Sequence, residues 1–221
     1  MFEKRISIFT GHYGSGKSEV AVNYAFKMNK ELGNVVIVDF DIVNPYFRTA
    51  DAREKLEAEG IKVMAPLYAN TNVDAPTLPV GINSVFENKA YNVVLDVGGD
   101  DVGATILGRY NEEISENAFE MFMVINTLRP FTNTSEKILE MLAEIEWTSK
   151  LKVTALINNT NYLASTTVDI ILEGHKIIQT ASEKANIPIA FISGFNPMAK
   201  EAAQQLNIEY LPLQKNILLP F

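Results

Sequence analysis

The segment Ile6–Ser18, ISIFTGHYGSGKS, constrains this chain more than any other stretch of its sequence. An apolar, strand-like run precedes glycines at 11, 14 and 16 and then Lys17 and Ser18, which together give the pattern G-x-x-x-x-G-K-S. Glycines let successive backbone N–H groups turn inward around an anion, and the helix that follows directs the positive end of its dipole at the same point. The pattern predicts a polyphosphate-binding loop; the simpler alternative is a glycine-rich turn before a helix.

Each position of this loop has an expected role. Lys17 would reach the β- and γ-phosphates of a nucleotide, and the Ser18 hydroxyl would ligate Mg²⁺. The residues expected to surround the nucleotide are Gly11, His12, Tyr13, Gly14, Ser15, Gly16, Lys17, Ser18 and Glu19.

Short apolar runs alternate with helix-like segments along the rest of the chain. We expect strands at 6–10, 35–39, 61–65, 92–96, 119–126, 152–158 and 187–192, and helices at 18–32, 49–59, 134–147, 167–186 and 197–206. Strands that are apolar on both faces and are followed by helices indicate a parallel sheet covered on both sides. Because no linker, repeat or shift in composition interrupts the pattern, we predict a single α/β domain over residues 1–221.

Acidic residues stand where two of the expected strands end. Asp39 and Asp41 lie at the end of the second strand, and Asp96 ends the strand that precedes a Gly-Gly pair. Ligands of parallel α/β sheets bind beyond the carboxyl ends of the strands, so these acids would face the loop. We expect Asp39 and Asp96, with Ser18, to hold Mg²⁺. The residues expected to serve catalysis are Asp41, which would orient the attacking water, and Lys17, which would contact the phosphates. The alternative is that these acids cap helices or begin turns.

Composition excludes several classes of protein. A net charge of −8 and a pI near 4.9 argue against a nucleic-acid-binding surface, which needs clustered basic residues. The absence of cysteine excludes disulfides and thiolate metal sites within the chain. No apolar stretch approaches the roughly 20 residues of a transmembrane helix, and the beginning of the sequence lacks the features of a signal peptide. We therefore expect a cytoplasmic protein that binds neither nucleic acid nor membrane.

Four segments together resemble the ParA/MinD-like ATPases, a group of P-loop proteins related to cobyrinate and dethiobiotin synthetases. The segments are GHYGSGKS at 11–18, VDFDIVNP at 38–45, VLDVGGDD at 94–101 and ALINNT at 155–160. The resemblance implies a three-layer P-loop NTPase fold with a mostly parallel sheet and helices on both faces. It also implies binding of ATP or ADP with Mg²⁺, slow ATP hydrolysis, and a homodimer that often depends on ATP. By position, it assigns Asn159 to a hydrogen bond with adenine, with the neighbouring Asn158 as the alternative.

One position departs from this resemblance. ParA/MinD-like loops resemble K-G-G-x-G-K-[ST], and their first lysine reaches the partner's nucleotide across the dimer, whereas this chain has His12. A neutral imidazole is a poor replacement for a fixed positive charge beside phosphates. Arg48, Arg109 and Arg129, expected in loops after strands, are other sources of charge, and ordinary surface or structural roles are the alternative for each.

The sequence as a whole favours a Mg²⁺-dependent ATP-binding protein with slow ATPase activity that acts as a nucleotide-dependent switch on an unidentified protein partner. Loops at 40–48 and 97–103 would form the switch. The alternatives are an ATP-dependent synthetase or kinase acting on a small molecule, and a metallocentre-assembly ATPase. Trp147 is expected to pack against the body of the protein, and His175 to lie at the surface or cap a helix.

Overall fold

The computed structural model describes residues 1–40, 52–65, 79, 81–99 and 101–217, and at 101 and 102 it describes the backbone only. Its strands are Ile6–Thr10 (β1), Val35–Phe40 (β2), Lys62–Met64 (β3), Asn92–Val97 (β4), Phe119–Ile125 (β5), Ala155–Asn158 (β6), Ile189–Gly194 (β7) and Tyr210–Pro212 (β8). Its α-helices are Lys17–Leu32 (α1), Arg53–Ala58 (α2), Asn83–Glu87 (α3), Asp101–Arg109 (α4), Asn111–Ser115 (α5), Ser135–Ser149 (α6), Val168–Ala185 (α7) and Met198–Leu206 (α8).

The strands form one sheet in the order β3-β2-β4-β1-β5-β6-β7-β8, and each neighbouring pair is parallel. The parallel sheet predicted from the apolar runs is confirmed. This order places β1, which leads into the glycine-rich loop, between β4 and β5. The loops that follow β4 and β5 therefore flank the loop that follows β1.

Alternate residues of the strands enter two separate apolar cores, one on each face of the sheet. Ile6 and Ile8 of β1 contribute to a core shared with α4, α6 and α7, whereas Phe9 contributes to a core shared with α1 and α2. Because both faces are buried, the strands contain apolar residues at successive positions. The protein thus has the three-layer arrangement of a P-loop NTPase fold, with helices on both faces.

The ends of the longer helices follow from local sequence. The side chain of Thr134 accepts a hydrogen bond from the Lys137 amide at the start of α6, and Thr167 does the same for Ile170 at the start of α7. Lys150 and Asn186 adopt the left-handed conformation that ends these two helices. Most predicted elements are confirmed within a few residues.

Several details differ from the sequence prediction. The sixth strand begins at Ala155 rather than 152, since Ala155 is the first of its residues to pair with β5. Trp147 is 87% exposed, so the expectation that it packs is wrong, and His175 is buried on α7 rather than at the surface. Within the described residues, no helix is both long and apolar enough to span a membrane.

Candidate nucleotide-binding site

The glycine-rich loop joins β1 to α1 through a tight turn. Gly14 and Gly16 have φ of 78° and 85°, in the left-handed region that residues with a Cβ rarely adopt. The Ser15 amide donates to the His12 carbonyl at 2.9 Å and closes the turn. Gly16 is the residue before α1 and has no side chain to cap the helix, so the first-turn N–H groups are left for another acceptor.

Two side chains from neighbouring loops hold the carbonyl groups of this turn. Arg129 Nε donates to the Gly14 carbonyl at 2.9 Å, and Asn159 Nδ2 donates to the Ser15 carbonyl at 2.7 Å. The Ser193 hydroxyl donates to Asn159 Oδ1 at 3.0 Å and fixes the amide in turn. In a trans peptide the C=O and N–H point in opposite directions, so the Gly16 N–H is directed away from Asn159.

Three glycines allow close backbone packing around the turn. A Cβ on Gly16 would lie 2.4 Å from Asn159 Nδ2, and one on Gly11 would lie 2.4 Å from the Val124 carbonyl oxygen. A Cβ on Gly99 would lie 1.9 Å from the Gly11 carbonyl oxygen, so the segment after β4 packs directly against the loop. Packing favours glycine at all three positions, and at Gly11 and Gly16 a positive φ favours it as well.

Charged groups meet at the start of α1. Lys17 Nζ lies 3.7 Å from Asp96 Oδ1 and 3.5 Å from the Ser18 hydroxyl. The parallel pairing of β2 with β4 places Asp39 beside Asp96, and both side chains are fully buried. Burying two carboxylates near one lysine carries a desolvation cost that a cation would reduce. Asp39, Asp96 and Ser18 therefore supply hard oxygen atoms of the kind Mg²⁺ binds.

Two further observations fit a phosphate group and a metal at this place. In the described part of the chain, the buried hydroxyl groups of Ser15 and Thr10 have no hydrogen-bond partner. An unpartnered buried hydroxyl costs about 1–3 kcal/mol, which a bound ligand would offset. Together with the uncapped start of α1, these hydroxyls form a polar cradle rather than a filled core. The residues present fit a nucleotide with Mg²⁺.

The structure also places the other residues predicted for this site. The His12 ring stacks on Phe131, with ring centroids 4.4 Å apart, and its Nδ1 lies 3.0 Å from the Tyr13 carbonyl. Tyr13 is exposed. Asp41 and Arg48 lie outside the described residues. The expectation that Arg109 lies in a loop is wrong, because it belongs to the last turn of α4.

Glu19 contacts the C-terminal segment of the chain. Its carboxylate accepts hydrogen bonds from the amides of Asn216, at 2.8 Å, and Ile217, at 3.1 Å. Burial raises the pKa of Glu19, and these amide hydrogen bonds partly oppose that shift. Its role toward a nucleotide stays a prediction, while its role in holding the segment after β8 against α1 is visible.

Sequence reasoning missed Ser193 and Phe131 as supports of the loop. Ser193 stands near the carboxyl end of β7, where polar residues of a parallel sheet merit attention, so a search of strand ends would have found it. Nothing in the sequence marks Phe131 in this way, since an aromatic residue in a loop more commonly packs on residues near it in the chain. Its partner His12 is far away in sequence, and only the pairing of β1 with β5 brings them together.

Comparison with known proteins places the fold. No protein-family model and no curated protein matches the chain. The signal recognition particle receptor FtsY from Elizabethkingia anophelis aligns over 98% of this chain and 64% of its own, with TM-score 0.54 and 15% identity. The cell division protein FtsY from Thermotoga maritima aligns over 88% and 63%, with TM-score 0.54 and 19% identity.

A third solved structure is the 54 kDa signal recognition particle protein from Aeropyrum pernix K1 in complex with GDP. It aligns over 88% of this chain and 42% of its own, with TM-score 0.56 and 16% identity. The present chain spans less than two thirds of the length of these three proteins. At such identities the likeness concerns the fold alone, and membership of the ParA/MinD-like group stays a prediction. The chain has the α/β fold of the P-loop NTPases.

Proposed function

We propose that this protein binds Mg·ATP at the loop 11–18, hydrolyses it slowly, and uses the bound nucleotide to control its interaction with a protein partner. The observation that carries the proposal is the Lys17–Asp96 pair, 3.7 Å apart, at the start of a helix with no side-chain cap. A lysine, an acid and a helix start in this arrangement suit a polyphosphate with its metal ion.

The chain's own residues divide the work of binding. The backbone N–H groups at the start of α1 and Lys17 would hold phosphate oxygens, and Ser18 with Asp96 would hold Mg²⁺ directly or through water, with Asp39 beside them. When bound, Mg²⁺ supplies positive charge that offsets the charge of the phosphates. Asp41, assigned by its sequence position, would orient the attacking water.

The packing of Gly99 supports a switch. The segment that contains this residue touches the carbonyl of Gly11 in the loop itself, so a ligand that moves the loop also moves the segment after β4. The segment leads into α4, which packs against α6, so a displacement has a route to the surface. We include in the proposal a homodimer and a cytoplasmic location, as expected from the sequence.

The base is the part of the proposal that a specific observation challenges. The Aeropyrum pernix neighbour was solved with GDP, which makes GTP the competing nucleotide. Asn159, assigned to adenine, donates through Nδ2 to Ser15 and accepts from Ser193. Its amide retains a second N–H and a second acceptor lone pair, which are compatible with a contact to adenine.

Nucleotide titrations test the proposal directly. Dissociation constants of ATP and GTP are measured by calorimetry, with and without Mg²⁺, for the wild-type protein, Lys17→Ala and the control Lys30→Ala, an exposed lysine on the same helix. We expect Lys17→Ala to weaken ATP binding by about 10- to 100-fold, the worth of a charged hydrogen bond, and Lys30→Ala to leave it unchanged. Equal affinities in the two variants would contradict the proposed site.

The same titration decides the base, since tighter binding of GTP than of ATP would overturn the assignment to adenine. Release of inorganic phosphate is then followed with the protein alone and with small-molecule acceptors added. Slow release without an acceptor is expected for a switch. Turnover that appears only with an acceptor would favour the synthetase or kinase instead.

A further inference from the structure

We propose that Arg129 supplies, from within the same chain, the positive charge that the loop lacks at His12, and that its guanidinium binds the terminal phosphate of a nucleoside triphosphate. The inference rests on the nucleotide site proposed above. It concerns one contact of that site and the choice between a triphosphate and a diphosphate.

Arg129 reaches the loop from the turn that follows β5, the neighbour of β1. Its Nε donates to the Gly14 carbonyl at 2.9 Å, and Nε and Cζ lie 3.4 Å and 3.7 Å from the place where a Cβ on Gly14 would stand. Gly14 has φ of 78°, so glycine is favoured there by conformation, and the guanidinium packs at ordinary contact distance over this residue.

The turn holds the backbone of Arg129 on both sides. The Arg129 amide donates to the Asn126 carbonyl at 3.0 Å, and the Thr132 amide donates to the Arg129 carbonyl at 3.0 Å. The Thr132 hydroxyl also donates to the Asn126 carbonyl at 2.8 Å and is buried. The guanidinium is therefore presented by a fixed turn rather than by a loose loop.

The two terminal nitrogens of this guanidinium are the groups suited to phosphate. Arginine carries five N–H donors in a planar fork, and the hydrogen bond to Gly14 uses only the one at Nε. Among the described residues, no carboxylate forms an ion pair with Arg129. The fork matches the spacing of phosphate oxygens and makes short, charge-assisted hydrogen bonds with them.

The same turn also packs against His12. Its ring stacks on Phe131, two residues after Arg129, and its Nδ1 faces the Tyr13 carbonyl. An imidazole packed in this way lacks the reach and the permanent charge of a lysine side chain. The turn after β5 thus does two things: its Phe131 packs against His12, and its Arg129 brings a positive charge to the neighbouring part of the loop.

The other described arginine considered from the sequence lies elsewhere. Arg109 is in the last turn of α4, about 12 Å along the helix from its first residue at 1.5 Å per residue. Arg109 is exposed, which makes it a matched control for loss of an arginine.

Arg129 has a competing role as a clamp that only holds the shape of the loop. A clamp supports diphosphate and triphosphate alike, because both bind through the same backbone groups. A contact to the terminal phosphate affects the triphosphate alone. The ratio of the two affinities separates these roles and needs no turnover.

The test measures binding of the non-hydrolysable analogue AMP-PNP and of ADP, each with Mg²⁺, to the wild-type protein, Arg129→Ala, Arg129→Lys and Arg109→Ala. Arg129→Ala is expected to weaken AMP-PNP about 10- to 100-fold, as for loss of a charged bidentate pair, and ADP less than about threefold. Arg129→Lys keeps the charge but not the planar fork of donors, so its AMP-PNP affinity is expected to lie between those of the wild type and Arg129→Ala. Arg109→Ala is expected to match the wild type.

Chemical rescue adds a second readout. Millimolar guanidinium chloride is expected to restore part of the AMP-PNP affinity of Arg129→Ala and none of that of Lys17→Ala, since only the former leaves a gap of guanidinium shape. The inference is overturned if Arg129→Ala leaves both affinities unchanged or lowers them equally. A wild-type protein that binds neither nucleotide refutes the proposed site itself, and this contact with it. If guanosine nucleotides bind better, GMP-PNP and GDP replace the two probes.

Discussion

Asn159 joins the loop to the far half of the sheet, and its replacement by alanine is the sharpest perturbation the structure offers. The side chain is 1% exposed. Its Nδ2 donates to the Ser15 carbonyl at 2.7 Å, and its Oδ1 accepts from the Ser193 hydroxyl at 3.0 Å. Asn159→Ala removes both hydrogen bonds and leaves a carbonyl and a hydroxyl without these partners inside the protein.

The expected loss follows from those two bonds. Each buried hydrogen bond contributes about 1 kcal/mol net, and stranding its partner costs up to about 3 kcal/mol when no water replaces the lost group. The space left by the smaller side chain lets water reach one partner in part, so we expect a loss of about 2–4 kcal/mol in the free energy of unfolding. That is a large fraction of the about 5–15 kcal/mol that stabilises a typical domain.

The consequence for binding depends on what Asn159 does. If Asn159 tethers the loop, Asn159→Ala weakens the binding of ATP, GTP and inorganic tripolyphosphate by the same factor. That factor is about tenfold if ordering the loop on binding costs about 1.4 kcal/mol. If it also contacts adenine, ATP loses more than the other two. The assays are urea unfolding followed by circular dichroism, and calorimetric titration with the three ligands.

Asn133→Ala is the matched control, because Asn133 is exposed and its Oδ1 accepts only from Lys137 among the described residues. It should change stability by less than about 0.5 kcal/mol. If Asn159→Ala also lowers the free energy of unfolding by less than about 0.5 kcal/mol and leaves tripolyphosphate affinity unchanged, Asn159 does not tether the loop. Ligand effects are compared well below the midpoint of unfolding, so that both variants are folded during titration.

Three other changes probe the loop and its support. His12→Ala is expected to leave ATP affinity within about twofold, since the ring stacks on Phe131, and a tenfold loss in calorimetry would contradict this. Gly99→Ala would place a Cβ 1.9 Å from the Gly11 carbonyl oxygen. We therefore expect the free energy of unfolding to fall by about 1–3 kcal/mol and the amide hydrogens of the loop to exchange faster. Unchanged exchange would contradict the contact. Burial raises the pKa of Tyr24, so above about pH 10 the unfolded state loses this proton first and stability falls by up to about 1.4 kcal/mol per pH unit. Tyr24→Phe should lessen that alkaline slope in urea unfolding, and an equal slope in both proteins would show that Tyr24 does not cause it.

Much of the fold was predictable because its signals are local. Apolar runs of strand length between amphipathic segments predict the parallel layered sheet, and β1 agrees with its predicted bounds of 6–10. Threonine caps and left-handed residues determine where α6 and α7 end. Trp147 shows the limit of this reasoning, because a helix pattern cannot tell whether a terminal aromatic residue meets the body of the protein or solvent.

The candidate site divides in the same way. Acids at strand ends predicted that Asp39 and Asp96 lie at the loop, and the pairing of β2 with β4 brings the two together. Arg109 and Arg129 looked equivalent in sequence, since both follow a strand. Only the structure shows that one ends a helix and the other touches the loop.

The sequence alone determined the loop, because G-x-x-x-x-G-K-S combines backbone freedom with a lysine and a hydroxyl inside a single short segment. The tertiary structure alone decided what surrounds it, because strand order is a long-range property that no local pattern encodes. With β1 between β4 and β5, Lys17 meets Asp96 and Arg129 meets Gly14, while β6 and β7 bring Asn159 to Ser193. These contacts join residues far apart in the chain, and they hold the loop in the conformation that we propose binds phosphate.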